Sequence, residues 1–151
     1  MASAEAILET LANKGVSGKL LAWIRDFLTH RQARVSFQGK LSNNRTFENG
    51  TPQGSILSPF LFNILMENLV PLQFGASTKI LCYADDIVII STGPRMNQKT
   101  QEALTTMSNK CEELGLKINH NKTKAMVFGT KPQPPLKISG TDVGWTNPIH
   151  T

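Results

Sequence analysis

A mixed α/β (α+β) domain is predicted from three features of this sequence. Apolar residues recur at helical spacing in several segments, short alternating or apolar runs lie between them, and glycine and proline punctuate the boundaries. A length of 151 residues matches one domain with a buried core. With 40% hydrophobic and 18% charged residues, a disordered tail, a collagenous repeat and a coiled coil are excluded. No apolar run approaches the roughly 20 residues of a membrane-crossing helix. The densest stretch, Ile80 to Ile90, carries two aspartates in its middle. Met1 to Glu5 has neither a basic nor an apolar region, so it does not read as a secretory signal. Cys82 and Cys111 sit inside apolar patterns and match no metal-ligand spacing, so both are expected to be buried, reduced thiols of an intracellular protein.

Taken in order, Ile7, Leu8 and Leu11 predict a helix over 4–13, stopped by Gly15. Ser17 is placed to cap a second helix with the stripe Leu20, Leu21, Ile24, Phe27 and Leu28, and Trp23 at its edge. Ala33 to Phe37 alternates as a strand does, Gly39-Lys40 is a turn, and Arg45 to Glu48 is a weaker return strand. A loop of turn formers runs from Asn49 to Gly54. Ser58-Pro59 then predicts a helix start, with serine as cap and proline in first position. That helix extends to about Val70, where Pro71 ends it. It is apolar nearly all round and is expected to be deeply buried.

Ile80 to Ala84 and Ile87 to Ile90 are separated only by Asp85-Asp86, which predicts a hairpin turning at the aspartate pair. Leu104, Met107, Cys111 and Leu114 predict a helix over 97–114, closed by Gly115. A second hairpin is expected from Leu116–Ile118 and Thr123–Phe128 around residues 119–122. Beyond Gly129 come Pro132, Pro134 and Pro135, then a short candidate strand from Leu136 to Ile138.

The formal net charge is +5, unevenly spread. Arg31, Arg34, Lys40 and Arg45 lie in a stretch from His30 to Phe47 that has no acid. Lys117, Lys122, Lys124, Lys131 and Lys137 lie in a second such stretch from Gly115 to Gly140. Segments of one sign fit a polyanionic partner, and they also fit a solvated basic surface.

Two adjacent carboxylates at the tip of an apolar hairpin raise each other's pKa and resist burial. A divalent cation removes both penalties, and Mg²⁺ is usually held by one or two carboxylates together with substrate phosphates. A water-exposed polar turn would carry the same dipeptide. In the loop from Gly50 to Pro59, the glycines allow close backbone approach and Gln53 offers both donor and acceptor. The helix start at Ser58 would add free N–H groups and a positive dipole end, a resting place for a base pair or phosphate. A loop that merely covers a buried helix is equally compatible with these residues.

Taken together, these segments resemble the reverse transcriptases of non-LTR retrotransposons. Thr51-Pro52-Gln53-Gly54-Ser55-Ile56-Leu57-Ser58-Pro59-Phe60-Leu61-Phe62 is similar to motif B of that family, with its core P-Q-G-S-x-L-S-P. Tyr83-Ala84-Asp85-Asp86 resembles motif C, the YADD box, about thirty residues further on. Gly115 to Asn119 followed by Lys122-Thr123-Lys124 resembles motif D. Gly18 to Ile24, through Phe27, Leu28 and Arg31, resembles the passage that precedes motif B.

The resemblance implies a partial palm/fingers fold, an RRM-like antiparallel sheet with packed helices. Residues 1–50 would hold helices and a fingers-side hairpin, 51–130 the palm, and 131–151 a tail leading towards a thumb. It implies transfer of a nucleotide from a dNTP to a primer 3′ hydroxyl on an RNA template, by a two-metal mechanism with Mg²⁺, or Mn²⁺ in its place. It casts Asp85 and Asp86 as metal ligands and Lys122 as the group that protonates or neutralises the departing pyrophosphate, with Lys124 the weaker candidate. Pro52, Gln53, Gly54 and Ser55 would contact template base and nucleotide, and Tyr83 would pack beside the primer terminus. Arg31, Arg34 and Arg45 would touch backbone phosphate. The family's motif A aspartate has no match: the acids before Gly15 are Glu5 and Glu9, on a predicted helix. The expectation is therefore a middle slice of a polymerase, inactive by itself, with RNA template, DNA primer, dNTP and the rest of its parent polymerase as partners. A retroelement relic that at most binds nucleic acid is the alternative. Its place would be the nucleus if it acts within a retroelement, and its oligomeric state is left open. With its sheet incomplete, the slice is also expected to leave apolar surface uncovered and to be marginally stable.

Overall fold

The computed structural model describes residues 3–47, 50–70, 72, 74–129 and 133–146. Glu48, Asn49, Pro71, Lys131, Pro132 and residues 147–151 lie outside them. The chain forms two compact units, Met1–Asn68 with Leu114–Leu116, and Leu69–Glu113 with Lys117–Thr151.

The first unit opens with α1 (Ala4–Asn13) and α2 (Gly18–Leu28), at the positions their apolar stripes predict. Ser3 caps α1, its hydroxyl accepting from the Ala6 amide at 3.4 Å. Ile7, Leu11, Leu28, Leu61 and Leu65 form the buried centre of this unit, where α1 packs on α2 and on α3 (Leu57–Met66). Asn68 donates to Thr10 at 3.0 Å and to the Leu65 carbonyl at 3.0 Å, tying the end of α3 to α1. Trp23 stacks on Phe27 with ring centroids 5.7 Å apart, on a face of α2 where Leu20 and Trp23 stay exposed. Gly115 joins this unit under two constraints: its φ is +67°, and a Cβ there would come within 2.7 Å of the Ser3 Cβ.

The strand expected over 33–37 is two strands. β1 (Arg31–Ala33) pairs antiparallel with β4 (Arg45–Phe47), and β2 (Ser36–Phe37) pairs with β3 (Lys40–Leu41). Between them one backbone bond, from the Ser42 amide to the Val35 carbonyl at 2.9 Å, is joined by side-chain bonds. The Val35 amide donates to the Ser42 hydroxyl at 2.9 Å, and Arg34 Nε donates to the Asn44 side chain. The turn is Gln38-Gly39, with φ of +48° and +76°, the two positive values of a type I′ turn.

Helix α3 also departs from expectation. It begins at Leu57, so Ser58 and Pro59 are its second and third residues, and it ends at Met66 before a run of turns to Val70. It is buried on one face only, through Leu61, Ile64 and Leu65, while Leu57 and Phe60 are exposed.

In the second unit β5 (Thr78–Tyr83) and β6 (Asp86–Ser91) form an antiparallel hairpin that packs on α4 (Met96–Glu113). The expected second hairpin is absent among the described residues. Residues 116–118 form no strand, and β7 (Lys124–Met126) pairs in parallel with β9 (Thr141–Thr146), which pairs antiparallel with β8 (Leu136–Ile138). The cause is local. Asn119 Oδ1 accepts the amides of Asn121 and Lys122, and its carbonyl accepts those of Lys122 and Thr123, so 119–123 closes on itself instead of opening a ladder. The resulting sheet, β7-β9-β8, is mixed rather than antiparallel. Its buried side chains Ala125, Leu136, Ile138 and Val143 pack with Leu104 and Ile118. Gln101 on α4 completes the edge, pairing its amide group with both the N–H and the C=O of Lys137 at 2.8 and 2.9 Å.

Among the described residues, no helix is long and apolar enough to cross a membrane. The architecture is thus helices with small sheets, three of them two-stranded.

Candidate functional site

Within the second unit, the β5–β6 ladder pairs Lys79 with Ile90, Leu81 with Val88 and Tyr83 with Asp86. Paired residues share a face, so these six form one side of the hairpin, and alternation puts Ile80, Cys82, Ile87 and Ile89 on the other. Ile80, Ile87 and Ile89 are part-buried, whereas Leu81, Tyr83, Asp86, Val88 and Ile90 are exposed. The turn residues are Ala84 and Asp85, not the aspartate pair: Asp86 already belongs to β6. Ala84 has φ +50°, a positive value at the first central position that glycine normally supplies.

Asp85 therefore stands at the tip and Asp86 on the first rung, next to Tyr83, which is 84% exposed. Both carboxylates are exposed, and neither takes an ion pair from a cation among the described residues. They are hard oxygen donors on a hydrogen-bonded hairpin, a set that suits a divalent cation already carrying phosphate or water ligands. Among the described residues, no group of three or more His, Cys, Asp or Glu could hold a metal ion. The pair by itself offers two carboxylates, with no third such ligand beside them among the described residues.

In the first unit, Pro52-Gln53-Gly54-Ser55 is a tight turn closed by the Ser55 amide donating to the Pro52 carbonyl at 3.3 Å. Gly54, with φ +83°, is the residue this turn requires in left-handed conformation, and it leaves Gln53 exposed at the crest. Ser58, expected as a helix cap, is buried and donates instead to the Pro52 carbonyl at 2.5 Å. Ser55 does the capping: its hydroxyl accepts from the Leu57 amide and its carbonyl from the Ser58 amide, both at 3.3 Å. Two of the N–H groups expected to be open at this helix start are thereby occupied.

Arg31 is a tie rather than an open cation. Its guanidinium donates to the Leu28 carbonyl at 3.1 Å and to the Gly50 carbonyl at 2.6 Å, anchoring the entry to the Pro52 turn. This connection was not legible from spacing. Arg34 and Arg45 are exposed, with Arg45 opposite Ala33 on the β1–β4 ladder.

In the second unit, Lys122 sits in the Asn119-anchored turn with an exposed side chain. The Lys124 stem lies over Gly144, its cross-strand partner, with Nζ 3.6 Å from where a Cβ would stand. Cys111 is buried as expected, and burial, with Cys82 adding to it, pushes its thiol pKa up from the ordinary value. Cys82 is exposed, contrary to expectation, at the turn end of the hairpin, where it pairs with Ile87 one rung from Tyr83 and Asp86.

A family profile described as reverse transcriptase (RNA-dependent DNA polymerase) matches residues 3–149. The chain is 29% identical over 121 residues to the probable RNA-directed DNA polymerase from transposon BS of Drosophila melanogaster, covering 75% of this chain and 13% of that protein. It is 26% identical over 156 residues to the Retrovirus-related Pol polyprotein from type-1 retrotransposable element R2 of Popillia japonica, covering 97% of this chain and 24% of the relative. It is 27% identical over 142 residues to the RNA-directed DNA polymerase from mobile element jockey of Drosophila funebris, covering 87% and 16%. The chain thus spans a quarter or less of the length of these relatives.

Proposed function

This chain belongs to the reverse transcriptase (RNA-dependent DNA polymerase) family, and from that premise we propose that it forms the motif B to motif D stretch of an RNA-directed DNA polymerase of a non-LTR retrotransposon. The observation that carries the reading is the exposed, unbridged carboxylate pair at the β5–β6 turn.

Asp85 is the main metal ligand and Asp86 the supporting one. The family uses divalent metal ions, and we take the ion here to be Mg²⁺, with Mn²⁺ able to replace it. When bound, it neutralises charge on the transferring phosphate and its leaving group. Everything else is positioning. Gly54 lets the Pro52 turn expose Gln53, which offers donor and acceptor to a template base or incoming dNTP. Ser55 and Ser58 hold that turn on α3. Tyr83 offers a ring beside Asp86 against which a primer-terminal sugar can rest. Lys122 supplies a mobile ammonium for the departing pyrophosphate. Arg34 and Arg45 meet backbone phosphate, and Arg31 maintains the shape of the loop. The β5–β6 hairpin with α4 is read as part of the palm, and the nucleus follows as the site of action for a retroelement enzyme.

For the isolated 151 residues, a non-catalytic, nucleic-acid-binding role is the second reading. What favours it is that Asp85 and Asp86 are not joined by a third metal-ligating side chain among the described residues. Grafting residues 3–146 in place of the matching segment of a full-length relative tests both readings. The graft is expected to extend oligo-dT on poly-rA, and D85A in the graft to abolish extension; the ungrafted chain is expected to extend nothing. A graft that folds yet makes no product, or product that survives D85A, would overturn the assignment.

A further inference from the structure

The β2–β3 hairpin presents an aromatic ring that its own unit does not cover. Phe37 is 70% exposed and Val35 69% exposed. Phe37 is the cross-strand partner of Lys40, so ring and ammonium stem share one face, and Val35, two residues before, shares it too. With Gln38 and Leu41 they line a shallow depression of about 450 Å³. Between Phe27 and Phe47 the chain carries Arg31, Arg34, Lys40 and Arg45 and no acid.

We propose that this face is a stacking platform for single-stranded nucleic acid, with a base on Phe37 and the flanking phosphates at Lys40, Arg34 and Arg45. The proposal rests on the reading that the chain acts on nucleic acid, and it adds where and in what form the strand is held. Charge and geometry select the occupant. A partner meeting this hairpin and its flanking strands meets Lys40, Arg34 and Arg45, in a stretch from Phe27 to Phe47 that has no acid, which favours a polyanion. An apolar protein partner would need a contiguous patch of several hundred Å². Here the apolar side chains lining the depression are Val35, Phe37 and Leu41, set among Gln38, Lys40 and Ser42. An exposed ring beside cations is instead the arrangement that holds single strands, since every base has a face to stack and phosphates lie on either side of it. A duplex offers Phe37 no unstacked base, so single strands are preferred.

Fluorescence anisotropy of the full chain with a 15-nucleotide oligo-U and with a duplex of equal length tests this. Oligo-U is expected to bind more tightly than duplex. F37A should weaken oligo-U binding by roughly 5-fold to 100-fold and leave duplex binding unchanged. F37W should retain affinity, with its added tryptophan emission quenched by oligo-U. K40Q should lower the salt dependence by about one ion while F37A does not. F37A with unchanged oligo-U affinity, or no binding by the wild-type chain, overturns the proposal. So does a wild-type dimer that F37A converts to monomer, because the face is then a protein interface. The polymerase reading is scored separately by the graft: D85A leaves oligo-U binding intact, and an inactive graft leaves the Phe37 result standing.

Discussion

Ser58 donates its hydroxyl to the carbonyl of Pro52 at 2.5 Å from within the first turn of α3, and it is buried there. That bond fastens the crest bearing Gln53 and Gly54 to a helix whose Leu61 and Leu65 are in the core. S58A removes the donor and leaves the carbonyl with only the Ser55 amide at 3.3 Å. The expected cost is about 1–2 kcal/mol of stability. Thermal unfolding of S58A beside wild type checks it, and a Tm change of under roughly 1 °C would show the bond to be unimportant.

Gly54 makes the complementary case. A Cβ there would meet no atom within 4 Å, so space does not demand glycine; its φ of +83° does. G54A is expected to lose about 1–2 kcal/mol through left-handed strain. In the grafted polymerase it should lower activity by displacing Gln53, while Mn²⁺ binding at Asp85 and Asp86 stays as in wild type. Primer extension and Mn²⁺-induced NMR broadening separate the two effects.

Ala84 reverses the argument. It adopts φ +50° between Tyr83 and Asp85, where glycine would be unstrained. A84G relieves about 1 kcal/mol of strain and gives part of it back in unfolded-state entropy. The expected outcome is a urea midpoint at or slightly above that of wild type. A clear fall in midpoint would mean that the Ala84 methyl makes a contact worth more than its strain.

How far the sequence could be read depended on the range of the interactions involved. α1 and α4 were legible because apolar period and terminal glycines act within a few residues. The β5–β6 hairpin was legible as two apolar runs, but its register was not: pairing Tyr83 with Asp86 puts the turn one residue earlier than the aspartate pair itself suggests. Ser58-Pro59 has the pattern of a helix start, yet the helix begins earlier because Ser55 supplies the cap. β9 went unseen because its alternation holds only two apolar residues, Val143 and Trp145, with Asp142 and Gly144, poor strand formers, at the alternate positions, and its parallel pairing with β7 is a non-local choice. Gly144 in that strand has a physical use, accommodating the Lys124 stem. Of the candidate site, Asp85, Asp86 and the Pro52–Ser55 turn were visible as motifs, whereas the tie from Arg31 to the Gly50 carbonyl exists only in three dimensions.

The two cysteines give a prediction in pH. Cys82 is exposed and Cys111 buried, so a thiol reagent should titrate one group rapidly in the native chain and the second only on unfolding. C82S should remove the fast phase. Burial, and secondarily Cys82, raises the Cys111 pKa above its ordinary 9.0. Below pH 9 the thiol is neutral whether the chain is folded or unfolded, and the group contributes no pH dependence. As pH rises past that value the unfolded chain releases the proton while the folded chain retains it. Unfolding is then favoured, and stability falls by up to about 1.4 kcal/mol per pH unit until the folded thiol also ionises. C111A should be less stable at neutral pH through lost packing and should lack this alkaline component. Urea midpoints measured from pH 7 to 10 for both variants decide the point: an alkaline slope that persists unchanged in C111A would assign it to another group.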